Sequence, residues 1–421
     1  MKRGLTCFLI IFMAVMPVFS AEFIPALDIN GGITYPTILA PSGELDKKLG
    51  IDAALAASCM LNTDFAEWLW LIPTLTMNYT NTAQPLNVED ERFLFQQWLD
   101  IYFSGGFNFE FSDAWQVRLR GFYRKDYTVQ SADENFGSGL YDYNDWGGYI
   151  ENVNALTLGD TASELVIGCK YTDKRYPNYS SLISEVDLEE LGYNTPDTEA
   201  KEKDYMDITA YISGETEWGK SGWYSMISFT FDYMPYYEQK IFDAIGQTTS
   251  AKRIDRYATF EINAPYYYPN NNSGFEISYT LTIRTTDQNY YDRLGDLDEN
   301  NNVFVPDYYN YIKNQARAAF NYEFPNKLFT DYKPIVTIAY EHELVNYTSR
   351  RAKDIAGDYT EKLQGDSNSH ISFDLRQNIM EHWNYYFNAK YSRYTSNMKW
   401  EAYASYNYNY LTLSVGTAVS F

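Results

Sequence analysis

The segment 275–284 reads FEISYTLTIR, and its side chains sort by position. Phe275, Ile277, Tyr279, Leu281 and Ile283 fall on one side of an extended chain; Glu276, Ser278, Thr280, Thr282 and Arg284 fall on the other. A helix would scatter these residues around its circumference, whereas a strand separates them into an oily face and a wet face. The same two-step rhythm recurs in 27–35, 51–61, 99–111, 312–322 and 371–376. A chain built of such stretches is all-β, with two-faced strands.

Two-faced strands build either a soluble sandwich or a closed barrel across a membrane. Length favours the barrel. The alternating stretches run well past the mode of about 5–6 residues in globular sheets, and they match a tilted crossing of about 9–11 residues plus extensions. Aromatic residues collect at the strand ends, as interface girdles do: Trp68, Trp115, Trp218, Trp223 and Trp383 near short turns, and Tyr236, Tyr237, Tyr290, Tyr291, Tyr308 and Tyr309 near long loops. The pattern predicts strands at 27–38, 50–62, 67–80, 94–111, 115–128, 146–159, 163–176, 204–218, 222–235, 253–265, 274–288, 308–324, 333–347, 368–380, 383–396 and 399–421. The expected fold is a closed antiparallel transmembrane β-barrel of about 16 strands; fourteen or eighteen fit the same pattern. Alternation falters at Gly147-Gly148, and the last segment is long enough to need a bulge. Turns at 112–113, 160–161, 219–222 and 381–382 are short and periplasmic. The long, extracellular loops lie near 39–49, 81–93, 129–145, 177–203, 236–252, 289–307 and 348–367, with a tight one near Ser396-Asn397.

If the oily face meets lipid, the wet face lines the interior. Parity then turns inward the acids Asp28, Asp52, Asp100, Glu110, Glu164, Asp207, Glu215, Asp232, Asp255, Glu261, Glu276, Glu323, Glu341, Glu343 and Asp374. It turns inward the bases Arg118, Arg120, Arg124, Lys170, Arg284, Lys313, Arg317, Arg376 and Lys390. Unpaired charges cost several kcal/mol each in a dry core, whereas a barrel of this strand number encloses water. The pore lining is expected to include Asp100, Glu110, Arg118, Arg120, Arg124, Glu276, Arg284, Arg317, Asp374 and Arg376. Carboxylate rings favour cations, so the acid surplus predicts a channel for small hydrophilic solutes with a mild preference for cations. The whole chain carries a net charge of -23, which excludes a nucleic-acid partner.

The N-terminus, MKRGLTCFLIIFMAVMPVFS, has basic Lys2 and Arg3, an apolar stretch and small residues Val18 and Ser20 at the cleavage positions. It is a secretory signal peptide over 1–20, leaving 21–421 as a single barrel domain. The first strand follows within ten residues, with no room for an N-terminal plug. Beyond residue 20 no apolar run is long enough for a membrane helix.

Leu411, Leu413, Val415, Val419 and the terminal Phe421 share one face. This resembles the last strand of bacterial outer-membrane β-barrel proteins, which ends in Phe and is read by the barrel-assembly machinery. The resemblance implies a porin-like protein of the Gram-negative outer membrane, Phe421 as assembly signal, outer-membrane lipid and lipopolysaccharide as surroundings, and a homotrimer. General porins of this kind fold their third outer loop into the barrel. Here that implies a constriction carrying Asp133, Glu134, Asp142 and Asp145, opposite the arginine stripe at 118, 120 and 124. The acidic Pro-Glu-Phe-Gly-Gly signature of those porins is absent.

In DLDENNNVFVPD, the residues Asp296, Asp298, Asn300, Asn302 and Asp307 follow the oxygen-ligand rhythm of a calcium loop, with Asn301 in place of the turn glycine and Asp307 in place of the final Glu. Calcium is the one cofactor suggested; a solvated acidic turn explains the same residues. In 177–203, Leu182, Ile183, Val186 and Leu191 fall on one face of a short helix, suited to a partner or to the barrel mouth. No HExxH, GxSxG or phosphate loop is present, and lipid-facing His342 has no serine at a matching sequence spacing, so no enzyme is expected. His370 falls inward beside Ser372, and His382 in a turn. Cys59 and Cys169 stand on strands too far apart to bridge. A non-catalytic adhesin or structural barrel, and a substrate-specific channel, are the alternative functions.

Overall fold

The structure, a computed structural model, describes residues 21–39, 45–47, 50–66, 69–71, 73–87, 92–129, 137–179, 201–268, 273–292, 303–327, 330–400 and 406–420. Sixteen long strands form the wall. They are β1 (Ala21–Leu39), β2 (Gly50–Ala66), β3 (Thr74–Asn87), β4 (Arg92–Ser112), β5 (Trp115–Val129), β6 (Tyr143–Leu158), β7 (Thr161–Arg175) and β8 (Tyr205–Glu217). The second half is β9 (Tyr224–Phe242), β10 (Thr248–Tyr267), β11 (Gly274–Thr286), β12 (Tyr311–Glu323), β13 (Ile335–Lys353), β14 (Tyr359–Met380), β15 (Trp383–Ser396) and β16 (Tyr408–Ser420). Short pieces at 45–47 and 69–71 continue the sheet, and 290–292 pairs with 303–305 outside it.

Each strand runs antiparallel to the next in sequence. The ring then closes, with β16 pairing β1 from Asp28↔Ser420 to Leu39↔Asn409. Closure removes the open edges that would otherwise expose unpaired backbone groups.

The closing seam is tight. Gly32 pairs with Gly416, and Gly416 pairs with Tyr386 on β15. A Cβ on Gly32 would stand 2.7 Å from the Tyr386 hydroxyl, and one on Gly416 would stand 2.3 Å from the Gly31 carbonyl. The tyrosine ring thus covers ground that only glycine leaves open. Gly416→Val is expected to destabilise the folded barrel by about 1–3 kcal/mol through overpacking, read from the temperature at which the compact form is lost on semi-native gels.

Exposure on the strands follows the two-step rhythm. Ile150 is 50 % exposed, Ile277 55 %, Ile338 49 % and Ile371 52 %, and all face outward. Their neighbours turn inward, with Asp100, Ser104, Asn108, Thr209 and Thr282 buried against the inner wall. The faltering at Gly147-Gly148 has a steric cause. A Cβ on Gly147 would lie 1.9 Å from the Tyr171 carbonyl and 2.9 Å from the Phe122 ring. The strand continues through it, with Tyr149 and Glu151 keeping the inward phase.

Several boundaries differ from the sequence expectation. β3 runs 74–87 rather than 67–80, so most of the loop expected at 81–93 is paired strand. β1 starts at Ala21 rather than 27. The loops expected at 236–252 and 348–367 are mostly paired strand, extending β9–β10 and β13–β14 beyond the wall with register shifts. The last strand begins at Tyr408 rather than 399, so the outer connection after β15 is long rather than tight. Met398 and Lys399, at its start, are held by the neighbouring hairpin. Met398 is buried, the Lys353 amide donates to its sulfur at 3.2 Å, and the Lys399 amide donates to the Lys353 carbonyl at 2.8 Å.

Candidate functional site: the inner wall and its outer mouth

The inner wall carries charge on every side, mostly in cross-strand pairs. On β4–β5, Arg124 donates to Asp100 at 2.6 Å. Arg118 stands 3.9 Å from Glu151 on β6 and 4.0 Å from Glu164 on β7. Across the barrel, Arg317 meets Glu276 at 3.0 Å and Lys313 meets Glu343 at 3.5 Å. The most enclosed cluster spans β10 and β11, where Asp255 accepts from Arg253 at 2.6 Å and from Arg284 at 3.0 Å. Period-two geometry explains these meetings: Arg118 and Glu151 are directly in register, and Arg124–Asp100, Arg317–Glu276, Lys313–Glu343 and Arg284–Asp255 are diagonal pairs, two residues off register on the same face.

A recess of about 400 Å³ opens on the β4–β8 wall. Tyr102, Phe122, Tyr149 and Tyr211 supply its rings, and Arg124, Lys170, Asp145 and Glu151 supply its charges. Tyr211 donates to Glu151 at 2.7 Å, and the Lys170 ammonium lies 5.2 Å from the Phe122 ring centre.

A second recess, of about 330 Å³, lies at the outer mouth between Tyr176, Tyr179, Lys203, Tyr205, Tyr236 and Arg253. Tyr143 meets Tyr176 at 5.7 Å, Tyr205 meets Tyr236 at 5.4 Å, and the Arg253 guanidinium lies 4.5 Å from the Tyr236 ring. Tyr236 therefore shares the inward row of Tyr205 instead of joining an outward girdle. The loop groups here are perturbed. Burial lowers the Lys203 pKa, aided by repulsion from Arg253. Burial raises that of Asp204, against the pull of the Tyr176 amide and Arg175. Burial also raises Tyr179.

Asp100, Glu110, Arg118, Arg120, Arg124, Glu276, Arg284, Arg317, Asp374 and Arg376 all fall on inward positions of the register. The residues grouped as a constriction separate. Asp133 and Glu134 lie outside the described residues. Asp142 is taken up locally, accepting the Thr128 amide at 2.7 Å and, at 3.4 Å, the Asn178 side-chain amide, which also donates to Gly137 and Gly139 carbonyls. Asp145 stands on β6, in register with Arg124. Asp296, Asp298, Asn300, Asn302 and Phe421 also lie outside the described residues, as do 1–20 and 182–191. Asp307 has a left-handed backbone at φ 54°, and its amide donates to Asn289 at 3.2 Å.

The sequence reading missed Asp126, Glu151, Lys174 and Arg253. For Glu151 the phase was lost at the glycine pair; the regained alternation of Tyr149, Glu151 and Val153 was the signal. The expectation for His342 is corrected: Ser369, its cross-strand partner, lies 2.9 Å from Nδ1. His370 likewise meets Ser392 at 2.8 Å, on the next strand, rather than Ser372. Cys59 and Cys169 are both free.

No known family profile and no curated protein sequence matches the chain. Solved structures similar to it include OmpT, an outer membrane protein of Vibrio cholerae, at 10% identity and a TM-score of 0.46 over 95% of this chain and 98% of that one. OccAB3 of Acinetobacter baumannii is similar at 10% identity and a TM-score of 0.42, over 94% and 99%. An anion-selective porin from Comamonas acidovorans is similar at 9% identity and a TM-score of 0.41, over 96% and 100%. By its own geometry, a closed ring of sixteen antiparallel strands with an apolar exterior and a charged interior, the chain has the architecture of a generic outer-membrane β-barrel.

Proposed function

We propose that the protein is an outer-membrane channel through which small hydrophilic solutes diffuse passively, with a mild preference for cations. One observation carries the channel: ionised side chains line the inside of a closed cylinder whose outside is apolar. Charges in that position are stable beside water, and sixteen strands enclose enough space to hold it. The cation preference rests on the surplus of inward acids. Asp126, Asp145 and Glu151 add to it, and Lys174 and Arg253 offset only part of that addition. Residues 1–20 are proposed to direct export and Phe421 to mark the chain for barrel assembly.

The test is single-channel conductance in planar bilayers under a salt gradient. Ohmic conductance with a reversal potential on the cation side is the expected result. Replacing Glu110 and Glu341 with glutamine should move that potential towards zero, since each removes an inward charge. Absence of conductance overturns the channel, and an anion-side potential overturns the charge preference.

A second reading, a channel selective for ring-shaped polar solutes such as sugars, is favoured by the inward tyrosines at the outer mouth. It predicts that such a solute blocks the current and that Tyr236→Ala relieves the block.

A further inference from the structure

The two faces of the wall carry opposite charge. Where the strand register is unbroken and the side chains are described, the charged residues on outward positions are Lys125, Asp173, Arg175, Arg256 and Arg393. Cations thus dominate the outer surface of a chain with 56 acids and 33 bases. Lys125, Asp173, Arg175 and Arg393 stand at the long-loop end of their strands, and Arg256 pairs with Thr285, next to the last residue of β11.

Four of these are engaged. Lys125 lies 4.7 Å from the Tyr127 ring and Arg256 lies 5.8 Å from Tyr233. Arg175 holds Asp173 at 2.5 Å. Arg393 is exposed, and among the described residues it has no ion pair, hydrogen bond or ring partner.

The register places Arg393 in one outward row with His342 and Ser369. The next outward row towards the membrane is Tyr340, Ile371 and Tyr391, exposed by 47 %, 52 % and 38 %. The wall therefore changes from apolar and aromatic to polar within one step of about 7 Å. That is the depth at which tyrosines mark an interface and headgroups begin.

We propose that His342, Ser369 and Arg393 form a docking site for the phosphate of an anionic outer-leaflet lipid. The assignment rests on the membrane orientation proposed above. His342 Nδ1 and Ser369 Oγ lie 2.9 Å apart; in the tautomer whose Nδ1 accepts the serine hydroxyl, Nε2 carries the proton and is a donor. Tyr340 stacks on the imidazole, with ring centres 6.4 Å apart, and holds its plane. Arg393 stands two strands from His342, about 10 Å, within reach of its long side chain. Its fork of N–H donors suits phosphate oxygens. Ser369 stands between the other two in this row, and a phosphate held there would leave its acyl chains along Tyr340, Ile371 and Tyr391.

Native mass spectrometry of the full barrel in detergent, titrated with short-chain phosphatidic acid, phosphatidylcholine or inorganic phosphate, tests this. Phosphatidic acid should be retained several-fold better than phosphatidylcholine. The double variant His342→Gln, Arg393→Gln should lose that retention by about tenfold, as expected for a lost charged hydrogen bond. Inorganic phosphate at the same concentration should not displace the lipid. Equal retention of both lipids, retention unchanged in the variant, displacement by free phosphate, or an adduct that has lost an acyl chain each overturns the assignment. Both residues face away from the lumen, so the variant's single-channel conductance should equal that of the parent. A parent without conductance would overturn the channel while leaving the lipid comparison intact.

Discussion

Ile277→Arg lowers the unfolding free energy of the barrel in lipid vesicles by about 1–2 kcal/mol, between the cost of an arginine at the bilayer midplane and at the interface on a barrel's lipid face. Ile277 is the fourth residue of β11, one outward step from the Trp223–Tyr266–Phe275 cluster, more than half exposed, between Ala264 and Ala318 on the neighbouring strands. None of these offers a polar partner. A nearby inward position is the control. Thr280 faces inward beside Glu261 and Gln315, so Thr280→Arg meets solvent and an acid, and its cost is expected to be near zero. Urea unfolding followed by tryptophan fluorescence reads both. Equal costs at 277 and 280 would mean that the two faces do not differ in environment.

Asp255→Ala is expected to cost about 3–5 kcal/mol, the penalty for breaking a buried ion pair from one side. The Asp255 side chain is 1 % exposed, and Arg253 and Arg284, at 14 % and 17 %, both donate to it. Alanine leaves two enclosed guanidinium groups facing each other without the carboxylate that holds them. Asp255→Asn keeps one acceptor oxygen and loses the charge, so it should fall between parent and alanine. The same unfolding titration measures the series, and an alanine variant as stable as the parent would place the cluster in open water. Exposed pairs such as Lys252–Glu238, at 49 % and 41 %, should contribute little by comparison.

The wall was legible in the sequence because one physical rule governs it. In β5 and β11, lipid outside and water inside force alternation on every residue, and the predicted ranges 115–128 and 274–288 nearly coincide with the strands. The rule weakens where both faces are wet. Residues 236–242 and 359–367 form paired strand above the wall, yet no oily face marks them. It also weakens where sterics override polarity, as at Gly147. Met398 was hidden for another reason. Its burial depends on the β13–β14 hairpin, whose height the local pattern does not encode.

The candidate site was legible in its facing but not in its partners. Parity turned Asp100, Arg124, Glu276 and Arg317 inward; which of them touch depends on register between strands, and no local pattern sets that. His342 and Ser369 are 27 positions apart and meet only because of the β13–β14 register. The tyrosines near the long loops read as an outward girdle because aromatic rings suit either face, and only pairing puts Tyr236 inside.

The most direct test of the central claim labels β11 one position at a time. Single cysteines from 275 to 284, with Cys59 and Cys169 replaced, would carry spin labels in lipid vesicles, and accessibility to oxygen and to a water-soluble nickel complex would be measured. Positions 275, 277, 279, 281 and 283 should favour oxygen, and 276, 278, 280, 282 and 284 should favour nickel, in strict alternation. Nickel access at both sets, or at neither, would contradict a wall with hydrocarbon outside and water within.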